Sequence, residues 1–280
     1  MLRVAIPNKG ILSDSAISML KEAGYATRRD AAVLHLVDEA NNVEFFYLRP
    51  RDIATYVGRG SLDVGITGLD LLLDSGSSAE EVADLGFGGS TFRFAAEPGA
   101  GFSSPSDLAG KRLATAYPTL ISDFLKANGI ACEVVGLDGA VESAVRLGVA
   151  DAVADVVSTG NTLRKAGLSV FGPEILASTA RLIAAPGKAD SAAKLLRRLQ
   201  GVIVAREYVI IDYDCPKELV NKASSITPGF ESPTISPLAD ENWVAIRALV
   251  RVSETNQIMD ELHDLGARAI LVSAIHAARI

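Results

Sequence analysis

Arg93-Phe-Ala-Ala-Glu-Pro-Gly99 and Arg181-Leu-Ile-Ala-Ala-Pro-Gly187 resemble each other, and their reading decides the fold. Each is an apolar, strand-like run closed by Pro-Gly, a pair that ends extended structure in a turn. The residues between them carry a strand-helix rhythm of their own. Lys111 to Ala116 reads as a strand, Ile121 to Asn128 as a helix, and Cys132 to Gly136 and Ala152 to Val157 as further strands. A chain that leaves one lobe, builds a second and returns must cross twice. Two similar strands flanking a self-contained segment mark those crossings, with chance similarity of two edge strands as the competing explanation.

Before the first crossing, short apolar runs alternate with amphipathic stretches. Leu2 to Ile6 reads as a buried strand. Leu12, Ala16, Met19, Leu20 and Ala23 fall at helical spacing, with Gly24 where a helix stops. Val43 to Leu48 is a strand, Asp52 to Gly58 a short helix, and Asp63 to Thr67 a strand closed by Gly68. This rhythm predicts a mostly parallel sheet with helices outside. After the second crossing, Asp190 to Gln200 is a helix returning to the first lobe.

The tail reads differently. Glu207 to Asp212 is a strand and Pro216 opens a helix. Thr234 to Leu238 and Trp243 to Arg251 are strands. A helical stripe, Ile258, Met259, Leu262 and Leu265, runs between a Ser253 N-cap and Gly266, and Arg268 to His276 closes the chain. The order β-α-β-β-α-β is the ferredoxin-like pattern. The expected division is therefore lobe I over 1–90 and 181–206, lobe II over 91–180, and a separate unit over 207–280.

Composition narrows the function classes. The chain has 280 residues and a formal charge of -7, so a basic nucleic-acid-binding face is not expected. No apolar run approaches the roughly 18 residues of a membrane span. The N-terminal residues run straight into a strand without a charged-then-apolar leader. Cys132 and Cys215 are the only cysteines, too few and too distant for a disulfide framework or a zinc ribbon. A cytoplasmic location follows as the expectation. His35, His263 and His276 lack ligand spacing, and no covalent-nucleophile motif is present.

The most informative chemical segment is Asp151-Ala-Val-Ala-Asp155-Val-Val-Ser158-Thr159-Gly160-Asn161-Thr162. A buried strand ends in small and hydroxylated residues that enter a helix. Free N–H groups and the helix dipole there suit a phosphate monoester. Asp155 would repel that phosphate but would accept bonds from a neighbouring ribose diol. The same residues also make a plain capped loop, and the loop alone does not decide between the two. Lys9, Arg49 and Arg51 lie at other strand ends, where open sheets bind ligands, and together suit a pyrophosphate. Each alone reads equally as a solvated charge.

Pro7-Asn8-Lys9-Gly10, Leu48-Arg49-Pro50-Arg51-Asp52-Ile53, Asp63 to Asp70, Thr115-Ala-Tyr117-Pro118 and Asp151 to Leu163 resemble the motifs of the ATP phosphoribosyltransferase family. Asp212 to Pro216 and Pro228 to Thr234 are similar to its long, histidine-regulated form. The resemblance covers essentially the whole chain. It implies an α/β fold, with a two-lobed core like a type II periplasmic binding protein and an ACT-like C-terminal domain. It implies condensation of ATP with 5-phosphoribosyl 1-pyrophosphate, the first step of histidine biosynthesis, with feedback inhibition by L-histidine. Lys9, Arg49 and Asp155 would be catalytic. Asp155, Ser158, Thr159, Gly160, Asn161 and Thr162 would hold phosphoribosyl pyrophosphate, and Arg51, Asp70, Tyr117 and Glu142 would line the ATP site. Asp214, Ser232, Thr234, Leu249 and Ala269 would hold L-histidine, although Asp214 could instead cap a helix beginning at Pro216. Mg²⁺ is implied as a cofactor carried mainly by substrate oxygens, with no protein ligands assigned. A homo-oligomer, dimer to hexamer, is implied as well. The alternative from another class is a non-catalytic two-lobed sensor that closes on a small anion, since fold alone does not fix function.

Overall fold

The computed structural model describes residues 1–28, 30, 32–157 and 160–279. In chain order the first elements are β1 (Leu2–Pro7), α1 (Gly10–Glu22), β2 (His35–Asp38), β3 (Val43–Leu48), α2 (Pro50–Gly58), β4 (Val64–Gly68), α3 (Leu69–Asp74) and β5 (Glu80–Asp84). Next come β6 (Ser90–Ala96), β7 (Arg112–Thr115), α4 (Pro118–Ala127), β8 (Glu133–Gly136), β9 (Ala152–Val157), α5 (Asn161–Lys165), β10 (Ser169–Ser178) and β11 (Ala180–Ala184). The remainder is α6 (Ala193–Glu207), β12 (Tyr208–Pro216), α7 (Val220–Ile226), β13 (Thr234–Pro237), β14 (Trp243–Arg251), α8 (Thr255–Leu265) and β15 (Arg268–Ala274). By compactness the chain divides into two units, Met1–Lys21 with Tyr25–Leu196, and Glu22–Gly24 with Arg197–Ile280.

The larger unit holds two sheets, ordered β2-β3-β1-β4-β11-β5 and β10-β6-β9-β7-β8. Apart from the extra edge strand β2, the two orders match when one is read backwards. β1 lies parallel between β3 and β4, as β7 lies parallel between β8 and β9. β11 is inserted antiparallel beside β4, as β6 is beside β9. The two inserted strands are the two that carry the similar sequences, Arg93 in β6 and Arg181 in β11. Each is the strand on which the chain enters a lobe from the other, and each runs against its parallel neighbours. The expectation of mostly parallel sheets is refined accordingly: β5 and β10 pair antiparallel with the inserted strands and so run with the parallel ones, while β2 pairs antiparallel with β3 at the far edge of its sheet.

Local chemistry explains these elements. The interior of β1 and the whole of β4 are buried, as central strands covered on both faces must be. At Gly65 an added Cβ would lie 2.7 Å from Ile53 Cγ2, so glycine lets α2 pack directly on β4. Lobe I buries Ala5, Ile53, Val57, Leu62, Leu72 and Ile183. In lobe II, Phe92, Phe94, Leu113, Ile121 and Phe171 fill one side, and Ala95, Val141, Val153 and Leu163 fill the other.

The smaller unit contains a four-stranded sheet ordered β13-β14-β12-β15, antiparallel throughout. With α7 and α8 this is the expected ferredoxin-like arrangement. Ile211, Tyr213, Cys215, Val244, Ile246 and Val250 alternate onto the helix-covered face. Two boundaries differ from the sequence reading. Pro216 ends β12 rather than opening a helix, because the alternation continues through buried Cys215; a 3-10 turn then precedes α7. Ser253 lies in a 3-10 turn, and the N-cap of α8 is Glu254. Gly266 stops α8 at φ 112°, as expected. Among the described residues no helix is long and apolar enough to cross a membrane.

Candidate active site

The carboxyl ends of the central strands bring the expected residues to the surface. β1 and β3 run in register from Leu2↔Val43 to Pro7↔Leu48, and the Asn8 N–H donates to the Leu48 carbonyl at 2.8 Å. Lys9 and Arg49 therefore emerge from neighbouring strand ends, and both are exposed. Arg49 is the N-cap residue of α2, with Pro50 following, and its side chain makes no capping bond. The Thr67 hydroxyl donates to the Pro50 carbonyl at 3.1 Å, tying the start of α2 to the end of β4.

Arg51, Asp70, Tyr117, Asp155 and Glu142 gather from both lobes. Arg51, in the first turn of α2, sets its guanidinium carbon 4.5 Å from the centre of the Tyr117 ring, a cation–π geometry. The same ring packs edge-on against Phe92, with centroids 5.0 Å apart. The Tyr117 N–H donates to Thr115 Oγ1 at 3.0 Å, and its phenol feels the Asp70 carboxylate. Burial chiefly, and then the Asp70 charge, push the Tyr117 hydroxyl well above the ordinary tyrosine range. It therefore stays a neutral donor.

Asp70 is buried. Its Oδ1 accepts from the Ser178 hydroxyl at 2.9 Å, and the Asp70 N–H donates back to Ser178 Oγ at 3.1 Å. Ser178 ends β10, just before the chain returns to lobe I on β11. A Cβ on Gly68 would overlap Asp70 Oδ1, so glycine is what lets this carboxylate fold back. Sequence reasoning found Asp70 but missed Ser178 and the reason for Gly68. Ser178 lies 108 residues away in the chain and carries no local signal.

Asp155 is pushed above the ordinary carboxylate range. Burial is the largest cause; the Val156 N–H opposes it, Glu142 reinforces it, Arg51 opposes it and Asp70 reinforces it. Its cross-strand partner is Arg93, which donates to the Gly172 carbonyl at 2.9 Å and has a buried Nε without a hydrogen-bond partner. Gly160, at φ 69°, is the N-cap of α5, and Asn161 and Thr162 begin that helix in exposed positions. The Asn161 side-chain oxygen accepts from Arg164. Ser158 and Thr159 lie outside the described residues.

The five residues expected around L-histidine do not converge on one hollow within the smaller unit. Ser232, Thr234 and Leu249 line an open groove of about 470 Å³ with Ile210, Phe230 and Arg247. Ala269, at φ 49°, lines a second hollow with Met259, His263 and Arg268. Asp214 stands within the sheet, paired with Ala245 and Arg268. The capping alternative for Asp214 does not hold, because β12 runs on past it to Pro216.

A two-lobed α/β core with cations at strand ends and a carboxylate preceding a glycine-led helix is the architecture of a phosphoribosyl-transferring enzyme on a periplasmic-binding-protein-like fold. Residues 49–201 match the family model described as ATP phosphoribosyltransferase, and residues 205–277 match the C-terminal domain of the same family. An ATP phosphoribosyltransferase of Pseudarthrobacter chlorophenolicus is 63% identical over an aligned 285 residues, covering all of both chains. One from Arthrobacter sp. is 62% identical over the whole of both chains. The solved ATP phosphoribosyl transferase (HisG:HisZ) complex from Thermotoga maritima aligns with a TM-score of 0.60 at 29% identity, covering 71% of this chain and 97% of that one. The chain belongs to the ATP phosphoribosyltransferase family, in its long form.

Proposed function

We propose that this chain condenses ATP with 5-phosphoribosyl 1-pyrophosphate, giving phosphoribosyl-ATP and pyrophosphate, as the first step of histidine biosynthesis. The observation that carries the reading is the cluster of Arg51, Asp70, Tyr117, Asp155 and Glu142, drawn from both lobes to one set of strand ends. Asp155 accepts from the ribose hydroxyls, and residues 158–162 hold the 5-phosphate. Arg51 and Tyr117, with Asp70 and Glu142, hold ATP. The adenine ring nitrogen beside the amino group attacks the anomeric carbon, whose bond to pyrophosphate breaks with the electron pair leaving on oxygen. No protein nucleophile is needed. Catalysis comes from alignment in the cleft and from Lys9 and Arg49 stabilising the departing charge.

Mg²⁺ belongs to this reading as a partner of the polyphosphates. Among the described residues no group of three or more His, Cys, Asp or Glu is arranged to hold a metal. In this reading the ion is carried mainly on substrate oxygens. The sensor alternative is not favoured, because relatives matching the whole chain are transferases. Purified protein with ATP, phosphoribosyl pyrophosphate and Mg²⁺ should release pyrophosphate at a rate set by both substrates. A protein that binds either one without release would be the sensor.

The remaining elements of the reading are regulatory. Residues 207–280 form the histidine-responsive domain, supported by a family match starting at 205. The protein works in the cytoplasm as a homo-oligomer between dimer and hexamer. Ser232, Thr234 and Leu249, which share one groove, form one wall of the L-histidine site; Asp214, as its anion, and Ala269, as a further apolar contact, stand outside that groove. Asp214→Ala and Thr234→Val should each raise the histidine concentration for half-inhibition about tenfold, the worth of one charged or two neutral hydrogen bonds. Uninhibited turnover should stay near wild type. A shift in Thr234→Val alone would confine the site to the groove and remove Asp214 from it.

A further inference from the structure

We infer that Asp74, at the end of α3, is a positioning residue for the nucleotide. Its carboxylate ties Arg51 of lobe I to the first turn of α4 in lobe II, and so holds the Arg51–Tyr117 pair ready to receive ATP. The inference rests on the placement of ATP against those two side chains.

The geometry divides the two oxygens of Asp74 between two tasks. Oδ1 accepts from the N–H groups of Thr119 at 3.0 Å and Leu120 at 3.3 Å, across 45 and 46 residues of chain. These are first-turn donors of α4, which would otherwise have no intrahelical partner. The helix has no acidic residue in its own first turn, and its N-cap, Tyr117, makes no side-chain capping bond. The anion that complements the positive end of α4 thus comes from the other lobe. Oδ2 takes the Arg51 guanidinium at 3.3 Å.

Both tasks converge on Tyr117. The backbone just after it is fixed through Oδ1, and the cation over its ring is fixed through Oδ2. The Asp74 side chain is 11% exposed, whereas that of Arg51 is 47% exposed. The anchored partner is therefore the carboxylate. A long, largely solvated arginine loses rotamer freedom only where something holds it, and a pre-set arginine binds an anion without that ordering cost.

The test compares Asp74→Ala, Asp74→Asn and Arg51→Ala by steady-state kinetics in both substrates, together with melting temperature. Asp74→Ala should raise KM for ATP about tenfold, while KM for phosphoribosyl pyrophosphate changes by less than about twofold. Asp74→Asn should fall between, because an amide oxygen still accepts from Thr119 and Leu120 but no longer holds the guanidinium charge. If the alanine variant does not fold, the asparagine variant, which keeps the cap, carries the comparison. The double variant Arg51→Ala, Asp74→Asn, which keeps the bonds to Thr119 and Leu120, should be no worse for ATP than Arg51→Ala alone, the signature of two groups acting through one contact. A lower melting temperature with both KM values unchanged would make Asp74 a plain staple between lobes and overturn the inference. Arg51→Ala with an unaltered KM for ATP would overturn the ATP placement itself. A raised KM in Arg51→Ala beside an unchanged KM in Asp74→Ala would overturn only the role of Asp74.

Discussion

Replacing Asp155 by asparagine should lower kcat/KM for phosphoribosyl pyrophosphate by about a hundredfold or more, yet leave the fold at neutral pH as stable as before or more so. The two effects share one cause. Burial raises the Asp155 carboxyl above its ordinary range, and Glu142 and Asp70 add to this against the Val156 N–H and Arg51. The folded state therefore holds this proton more tightly than the unfolded chain. Between the ordinary carboxylate value and the raised folded value, the folded state binds more protons, so stability falls as pH rises through that window. Above it Asp155 is ionised and its cost is fully present. Asparagine never ionises, so the variant escapes that cost but loses the anion that grips the ribose diol. Melting curves should show the variant's advantage at neutral pH shrinking in acid, where Asp155 is protonated in both states. Kinetics should show the loss confined mainly to phosphoribosyl pyrophosphate. A variant with near wild-type efficiency would remove Asp155 from the sugar site, and a sharply lower melting temperature at neutral pH would make its role structural.

What could be read from the chain, and what could not, follows from the range of the interactions. β1, β3, β4 and β9 announce themselves because central strands are apolar over their buried length. The ferredoxin-like tail is legible because one sheet face is buried and the alternation in β12 and β14 is clean. β2, β5 and β10 escape because they are edge strands without a sustained apolar pattern: β5 reads Glu80-Glu-Val-Ala-Asp84, and β10 contains Gly172 and Pro173 around a register shift. The cluster shows the same split. Asp70, Tyr117 and Asp155 sit in local strand-to-helix patterns. Ser178 acts through a partner on the opposite lobe and Asp74 through one partner on each lobe, all distant in the chain and outside any local window. The exposed Ser232 and Thr234 and the sheet-embedded Asp214 were legible as polar residues, but the spread of four expected histidine contacts over two hollows, with Asp214 in neither, is a property of the folded sheet alone.

The second large effect belongs to the pair at the adjoining strand ends. Lys9→Ala and Arg49→Ala should each reduce kcat about thirtyfold, and together about a thousandfold, the scale of removing donors aimed at a developing charge. Their structural roles are slight. Both are exposed, neither forms an ion pair among the described residues, and Arg49 contributes only its backbone to the start of α2. The melting temperature should therefore move by no more than about a degree or two for substitutions at such surface positions. Chemistry, rather than substrate affinity, should carry most of the loss, because pyrophosphate gains charge as its bond to the sugar breaks and a cation there is worth more in the transition state than before it. Arg49→Lys should recover only part of the activity, since an ammonium presents a point charge where the guanidinium offers a planar fork. Burst experiments should show slowed formation of phosphoribosyl-ATP on the enzyme, not slowed release. If both alanine variants instead kept kcat and only raised KM, the two cations would be gripping the ground state, and stabilisation of the leaving group would have to come from the metal-bound phosphates alone.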